Sequence, residues 1–347
     1  AQSADSVRSV VVGSLAHAKG PYDYAEVDAP SPFTRIGPGP GSIVKPDVVF
    51  YGGNAGMNAG KLEKTGIKSF SIDGTPAYNV GTSFSTPWVS RMAAELTHLV
   101  KEEFDPLLIR ALLIHNAKYP ANNSMSMTDK VTQMGFGAPS SVQEMLYNSE
   151  DEITLILRDT LEKGSFIEMF DFPFPESLVD KDGNFVGQII VTLVTKSLLD
   201  DKQAGEYCQS NIDILFGTYE TETDRDTSKK GIKNPKGLEE PQNILLESLY
   251  SARVKGAHPF TGFERECTLV KYGKKFHPVK KYAIDLSEMT TSNRQRYLRG
   301  DRKWYLKIEG LYRDFIEQDA RARNYQLSQE YCLLLTIRDP NGKAPVY

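Results

Sequence analysis

Gly81-Thr82-Ser83-Phe84-Ser85-Thr86-Pro87 decides how the first part of this chain is read. It follows the turn-rich run Asp73-Gly74-Thr75-Pro76 and opens a long helical pattern. The apolar positions after Phe84 are Trp88, Val89, Met92, Ala93, Leu96 and Val100, the 3.6-residue spacing of a helix with one buried face. Pro87 is placed near the start of that helix, where a missing N–H costs little. Ser83 therefore lies at or just before a helix N-terminus. Free backbone N–H groups and the positive end of the helix dipole surround a hydroxyl there. Both favour negative charge developing on a bound oxygen, as in acyl transfer. A Gly-Thr-Ser run before a helix is also a plain N-cap signal, so the surroundings have to decide between the two readings.

Those surroundings carry four more ordered stretches. Upstream stand Ser31-Pro32-Phe33-Thr34-Arg35-Ile36-Gly37-Pro38-Gly39 and Ile43-Val44-Lys45-Pro46-Asp47-Val48-Val49. Farther up is Ser3-Ala4-Asp5-Ser6-Val7-Arg8-Ser9-Val10-Val11-Val12-Gly13-Ser14, and downstream is Gly135-Phe136-Gly137-Ala138-Pro139. With the serine run, they resemble the ordered motifs of the subtilases, the subtilisin-like serine peptidases, over residues 1 to about 145. The resemblance implies a parallel-sheet α/β domain and a peptidase that uses no cofactor. It implies Ser83 as nucleophile, with its own N–H as one oxyanion donor, and Thr82 supporting that hole. Phe84 fills a position that often holds Met. It narrows the space near the leaving group and removes an oxidisable thioether. Trp88 stands where the family frequently has His and is read as core packing.

The rest of the triad is absent from the sequence before Ser83. A serine hydroxyl needs a base to take its proton, an acid to orient that base and a second oxyanion donor. The family's Asp, His and Asn signatures lie upstream of its serine, and none occurs here. His17, in Leu15-Ala16-His17-Ala18, is read as a solvent-exposed loop residue. His98, fifteen residues along the helix, stands roughly 20 Å or more from Ser83. His115 lies on an apolar face and reads as core. His258 and His277 belong to the later part, and His277 sits in a basic run, 274–281, read as a solvated face with a basic interaction patch as the alternative. No group has a defensible metal-ligand spacing. Asp180, Asp182 and Asn184 read as a hairpin turn rather than a calcium loop.

Composition bounds the remainder. The chain has 347 residues, 40% hydrophobic and 25% charged, with a formal charge of −4. These totals suit two ordinary globular domains and argue against a nucleic-acid binder. No apolar run approaches the 18 residues of a membrane span. Cys208, Cys267 and Cys332 are too few and scattered for a disulfide framework and favour a reducing, cytoplasmic compartment over secretion. The expected organisation is the C-terminal portion of a subtilisin-like catalytic domain over 1–150, then a β-rich accessory domain over 151–347. In the second, strand-like stretches such as Tyr305-Leu306-Lys307-Ile308-Glu309 point to a β-sandwich. Residues 219–243 read as a mobile loop. Gly52-Gly53-Asn54-Ala55-Gly56 reads as a flexible surface loop. The expected partners are a protein or peptide substrate and a missing N-terminal part of the same catalytic domain, without which this chain is inactive and exposes an unpaired sheet edge. The competing reading is a non-catalytic subtilase-like scaffold carrying a protein-binding sandwich.

Overall fold

A computed structural model describes residues 6–101, 103–121, 125–220, 241–250, 276–342 and 346. Cα packing divides the chain into two compact units. The first contains the described residues up to 147 together with Asp200–Tyr207; the second contains the rest.

The first unit is built on two short parallel strands, β1 (Val12–Leu15) and β2 (Val48–Tyr51), in the register Val12↔Val48 to Leu15↔Tyr51. Two antiparallel ribbons follow, β3–β4 (Asn54–Asn58, Lys61–Thr65) and β5–β6 (Ile67–Phe70, Pro76–Asn79). Helix α1 (Thr82–Val100) then packs on β1 and β2. Helix α2 (Pro106–His115) starts as its sequence dictates: Asp105 caps it, accepting from the N–H groups of Leu107 (2.8 Å) and Leu108 (3.2 Å), and Pro106 stands at its first position. It is buried on every side from Leu108 to His115, not on one face alone. Strands β7 (Ala117–Lys118) and β8 (Ala138–Pro139) and helices α3 (Met127–Met134) and α4 (Val142–Leu146) complete the unit.

The Lys45-Pro46-Asp47 stretch ties these elements together. Asp47 is buried and accepts from the Arg110 guanidinium (2.7 Å), the Lys45 ammonium (2.5 Å) and the Val11 N–H (2.8 Å). Arg110 also donates to the Val7 carbonyl at 3.0 Å, so strand entry and α2 share one ionic knot. The Gly-Phe-Gly turn lies along β2, with Phe136 N–H on the Asp47 carbonyl (2.9 Å) and Val49 N–H on the Gly137 carbonyl (3.0 Å). A Cβ at Gly135 would stand 1.9 Å from the Pro46 carbonyl oxygen, so only glycine fits.

Two expectations for this unit are corrected. Gly52 to Gly56 form no flexible surface loop. All five residues are buried, and a Cβ at Gly56 would fall 1.6 Å from the Tyr22 carbonyl oxygen. Asn54 donates to the carbonyls of Ala18 (3.0 Å) and Ala25 (2.8 Å). Nor is the second edge of β1 bare: Ser31 N–H reaches the Ser14 carbonyl, Ala16 N–H the Ala29 carbonyl, and Ser14 N–H the Thr34 hydroxyl, each at 2.9 Å.

The second unit contains two four-stranded antiparallel sheets. In chain order its strands are β9 (Glu152–Glu162), β10 (Phe166–Phe170), β11 (Gln188–Thr195), β12 (Ser210–Tyr219), β13 (Gln242–Asn243), β14 (Val279–Asp285), β15 (Lys303–Tyr312) and β16 (Ser328–Arg338). The sheets run β14-β11-β16-β9 and β10-β15-β12-β13. One apolar cluster draws Ile189, Val191 and Leu333 from the first and Phe216, Trp304 and Leu306 from the second. Helices α5 (Thr291–Tyr297) and α6 (Asp314–Arg323) lie between strands in the chain. Most of the expected mobile loop, 221–240, lies outside the described residues, as do Cys267 and His258. Its end is strand, since Gln242 and Asn243 pair with Thr218 and Gly217.

The basic run is also corrected. Lys280 and Lys281 are buried rather than solvated. Lys280 Nζ donates to Asn211 Oδ1 and the Ile212 carbonyl, both at 2.8 Å, and to Asp213. Three acceptors offset the cost of taking an ammonium out of water.

Candidate active site around Ser83

The ends of β1 and β2 meet the start of α1. Gly52, the residue after β2, donates its N–H to the Leu15 carbonyl (3.0 Å) and accepts from the Gly81 N–H (2.9 Å). Glycine is required at Gly52, where a Cβ would lie 2.3 Å from Ser14 Oγ and 2.7 Å from the Gly81 carbonyl oxygen. Two hydrogen bonds therefore run from β1 through β2 to the residue preceding the helix. This fixes the loop that carries the serine at the carboxyl ends of the parallel strands, where open α/β sheets place their ligands.

Gly81 is the N-cap, with φ +150°, and no side chain caps this helix. Its carbonyl accepts the Phe84 N–H (3.0 Å), while the N–H groups of Thr82 and Ser83 have no acceptor among the described residues. By contrast, α2, α3 and α4 are capped by Asp105, Ser126 and Ser141. Ser83 is the second residue of α1 and is exposed; Thr82 and Phe84 are half-buried. The Ser83 hydroxyl has no partner among the described residues. The Thr82 carbonyl holds the first turn, accepting from Ser85 Oγ (3.1 Å) and Thr86 Oγ1 (2.8 Å).

Pro87 stands farther into the helix than its sequence position suggested, as the sixth helical residue. Lacking an N–H, it leaves the Ser83 carbonyl without its i+4 donor. Trp88 is a second correction. It is 44% exposed, lying 6.1 Å from the Phe50 ring with the Arg91 guanidinium 5.8 Å over it, so it is not core. His17 is half-buried rather than solvent-exposed, and its Nδ1 has no partner among the described residues. His115 is buried, as its apolar face required. No described His, Asp or Glu hydrogen-bonds the Ser83 hydroxyl. Asp180 is committed to a turn and to Arg294 (2.6 Å).

The arrangement offers an exposed hydroxyl beside two unsatisfied N–H donors at the positive end of a 19-residue helix. Negative charge developing on an oxygen held there is stabilised by those groups. Gly81 and the Gly52-Gly53 pair, the latter expected in a flexible loop, are what fix it. The sequence signal for them is the apolar run 48–51 ending directly in two glycines.

Residues 2–139 match the model of the subtilase family. The chain is also similar to the uncharacterized protein y4bN of Sinorhizobium fredii (strain NBRC 101917 / NGR234), at 28% identity over 221 residues. That similarity covers 55% of this chain and 49% of the relative, so the chain spans about half the length of the curated relative it matches.

Proposed function

We propose that this chain, matching the subtilase family over residues 2–139, carries the nucleophile-bearing part of a serine endopeptidase. Ser83 is the nucleophile, its N–H is one oxyanion donor, Thr82 supports that hole, and Phe84 lines the site. The observation that carries this reading is the uncapped start of α1. Gly81 brings no side chain to cap it, and the two leading N–H groups have no acceptor among the described residues, beside an exposed hydroxyl. Among the described residues no His, Asp or Glu reaches the Ser83 hydroxyl, so the general base, its orienting acid and a second oxyanion donor have to be added to what they supply. The substrate is a protein or peptide, and the second unit is a β-sandwich accessory domain.

In this mechanism the base takes the Ser83 proton as Oγ attacks the scissile carbonyl. The N–H groups at the head of α1 stabilise the oxyanion, and the amine leaves with the proton. Water then reverses the sequence on the acyl-enzyme. The test is casein hydrolysis by the full-length gene product and its S83A variant. Loss of hydrolysis in S83A supports the proposal. Equal hydrolysis by both overturns Ser83 as the nucleophile, and none by either favours the non-catalytic scaffold.

A further inference from the structure

Two buried hydroxyls stand behind the serine loop with no part in the chemistry above. Ser14, in β1, and Ser31 are 0% and 2% exposed. Their Oγ atoms are 2.8 Å apart, and Ser31 Oγ donates to the Gly53 carbonyl at 2.7 Å. Because Ser31 spends its single O–H on Gly53, Ser14 must donate to Ser31. The chain of bonds therefore has one direction, from Ser14 through Ser31 to Gly53. Ser14 is itself fixed by its N–H on the Thr34 hydroxyl.

Gly53 is held in an unusual conformation, φ +97°, and a Cβ there would come within 2.7 Å of the Val80 side chain. The Gly52-Gly53 pair is thus clamped between the Ser14 hydroxyl on one side and Val80-Gly81 on the other. Gly52 then hands the position on, through its carbonyl, to the Gly81 N–H.

We propose that Ser14 and Ser31 form a positioning relay that sets the Gly52-Gly53 backbone, and through it the orientation of Gly81 and the N–H groups beside Ser83. Neither is a catalytic residue, since neither reaches the reacting atoms. The inference rests on the reading of Ser83 as the nucleophile, but its geometric half stands independently of it. Oxyanion donors act only when held in place, and small misplacements cost large factors in rate. Ser31 is the decisive member. Its removal leaves the Gly53 carbonyl and the Ser14 hydroxyl unpaired together, whereas removal of Ser14 leaves the bond to Gly53 intact.

The test compares S14A, S31A, S14A/S31A and S31T in the full-length protein, at a temperature where circular dichroism shows every variant folded. The first readout is the second-order rate of Ser83 labelling by a fluorophosphonate probe. S31A should label at least tenfold more slowly, S14A within threefold of wild type, the double variant no worse than S31A, and S31T nearer wild type than S31A. Wild-type rates for folded S31A would reduce the pair to a structural role and overturn the proposal. The second readout is hydrogen exchange of the peptide spanning residues 79–85. It should speed up in S31A more than the peptide spanning α2; equal change in both, or none, overturns the relay. If wild-type Ser83 does not label at all, the nucleophile reading fails, and exchange alone decides the relay.

Discussion

Replacing Asp47 by alanine tests what holds the first unit together. Asp47 is 1% exposed and is the shared anion of Lys45 and Arg110, which are 0% and 4% exposed. D47A leaves two buried cations facing one another and the Val11 N–H unsatisfied. Breaking a buried pair by removing one partner costs about 3–5 kcal/mol. For a unit of this size that is a fall of roughly 6–20 °C in Tm. The loss should also depend on pH. Burial holds the Lys45 pKa below its ordinary value, with the Asp47 carboxylate opposing that shift. Without the carboxylate the pKa falls further. Between that lowered value and the unfolded value near ~10.4, the unfolded state binds more protons, so stability rises with pH. D47A should therefore recover part of its deficit as pH rises toward the unfolded lysine value of ~10.4. The chain has two tryptophans, so a W304F background leaves Trp88 to report urea unfolding of the first unit. A penalty under ~1 kcal/mol, or one that grows with pH, refutes the assignment of Asp47 as the counter-ion of that knot.

Other substitutions probe separate links. G81A forces a side chain onto a φ of +150° and sets a Cβ 3.7 Å from the Ser83 N. It should cost about 1–3 kcal/mol and slow probe labelling of Ser83 more than any change in melting explains, as measured by labelling rate beside calorimetry. K280A leaves a cavity and takes the ammonium from the Ile212 carbonyl, from Asp213 and from Asn211 Oδ1, which keeps only the Phe276 N–H. Urea unfolding of the second unit should register a loss of about 3 kcal/mol, with K280M, which keeps the packed stem, losing less.

What the sequence disclosed was mostly local. A pair such as Asp105-Pro106 marks a helix start because cap and first-turn proline act within three residues. Ser83 announced a helix head for the same reason. Alternation along 305–309 showed a strand because the side-chain period of two needs no distant partner. Lys280 and Lys281 look solvated from composition, while the acceptors of Lys280, Asn211 to Asp213, lie nearly seventy residues earlier. Gly52 to Asn54 look like a loop until Leu15, Gly81 and Ala25 supply their hydrogen bonds from across the fold. Trp88 obeyed helical spacing yet fell at the margin of the buried face, beside Arg91. The Ser14–Ser31–Gly53 relay was invisible for a like reason: two serines seventeen residues apart declare nothing until a strand and a loop bring them together.

The most direct measurement is mass-spectrometric mapping of a fluorophosphonate adduct on the full-length gene product. One adduct is expected, on the tryptic peptide containing Ser83, lost in S83A and greatly slowed in G81A. An intact protein that takes no adduct at Ser83, or takes one on a different serine, contradicts it.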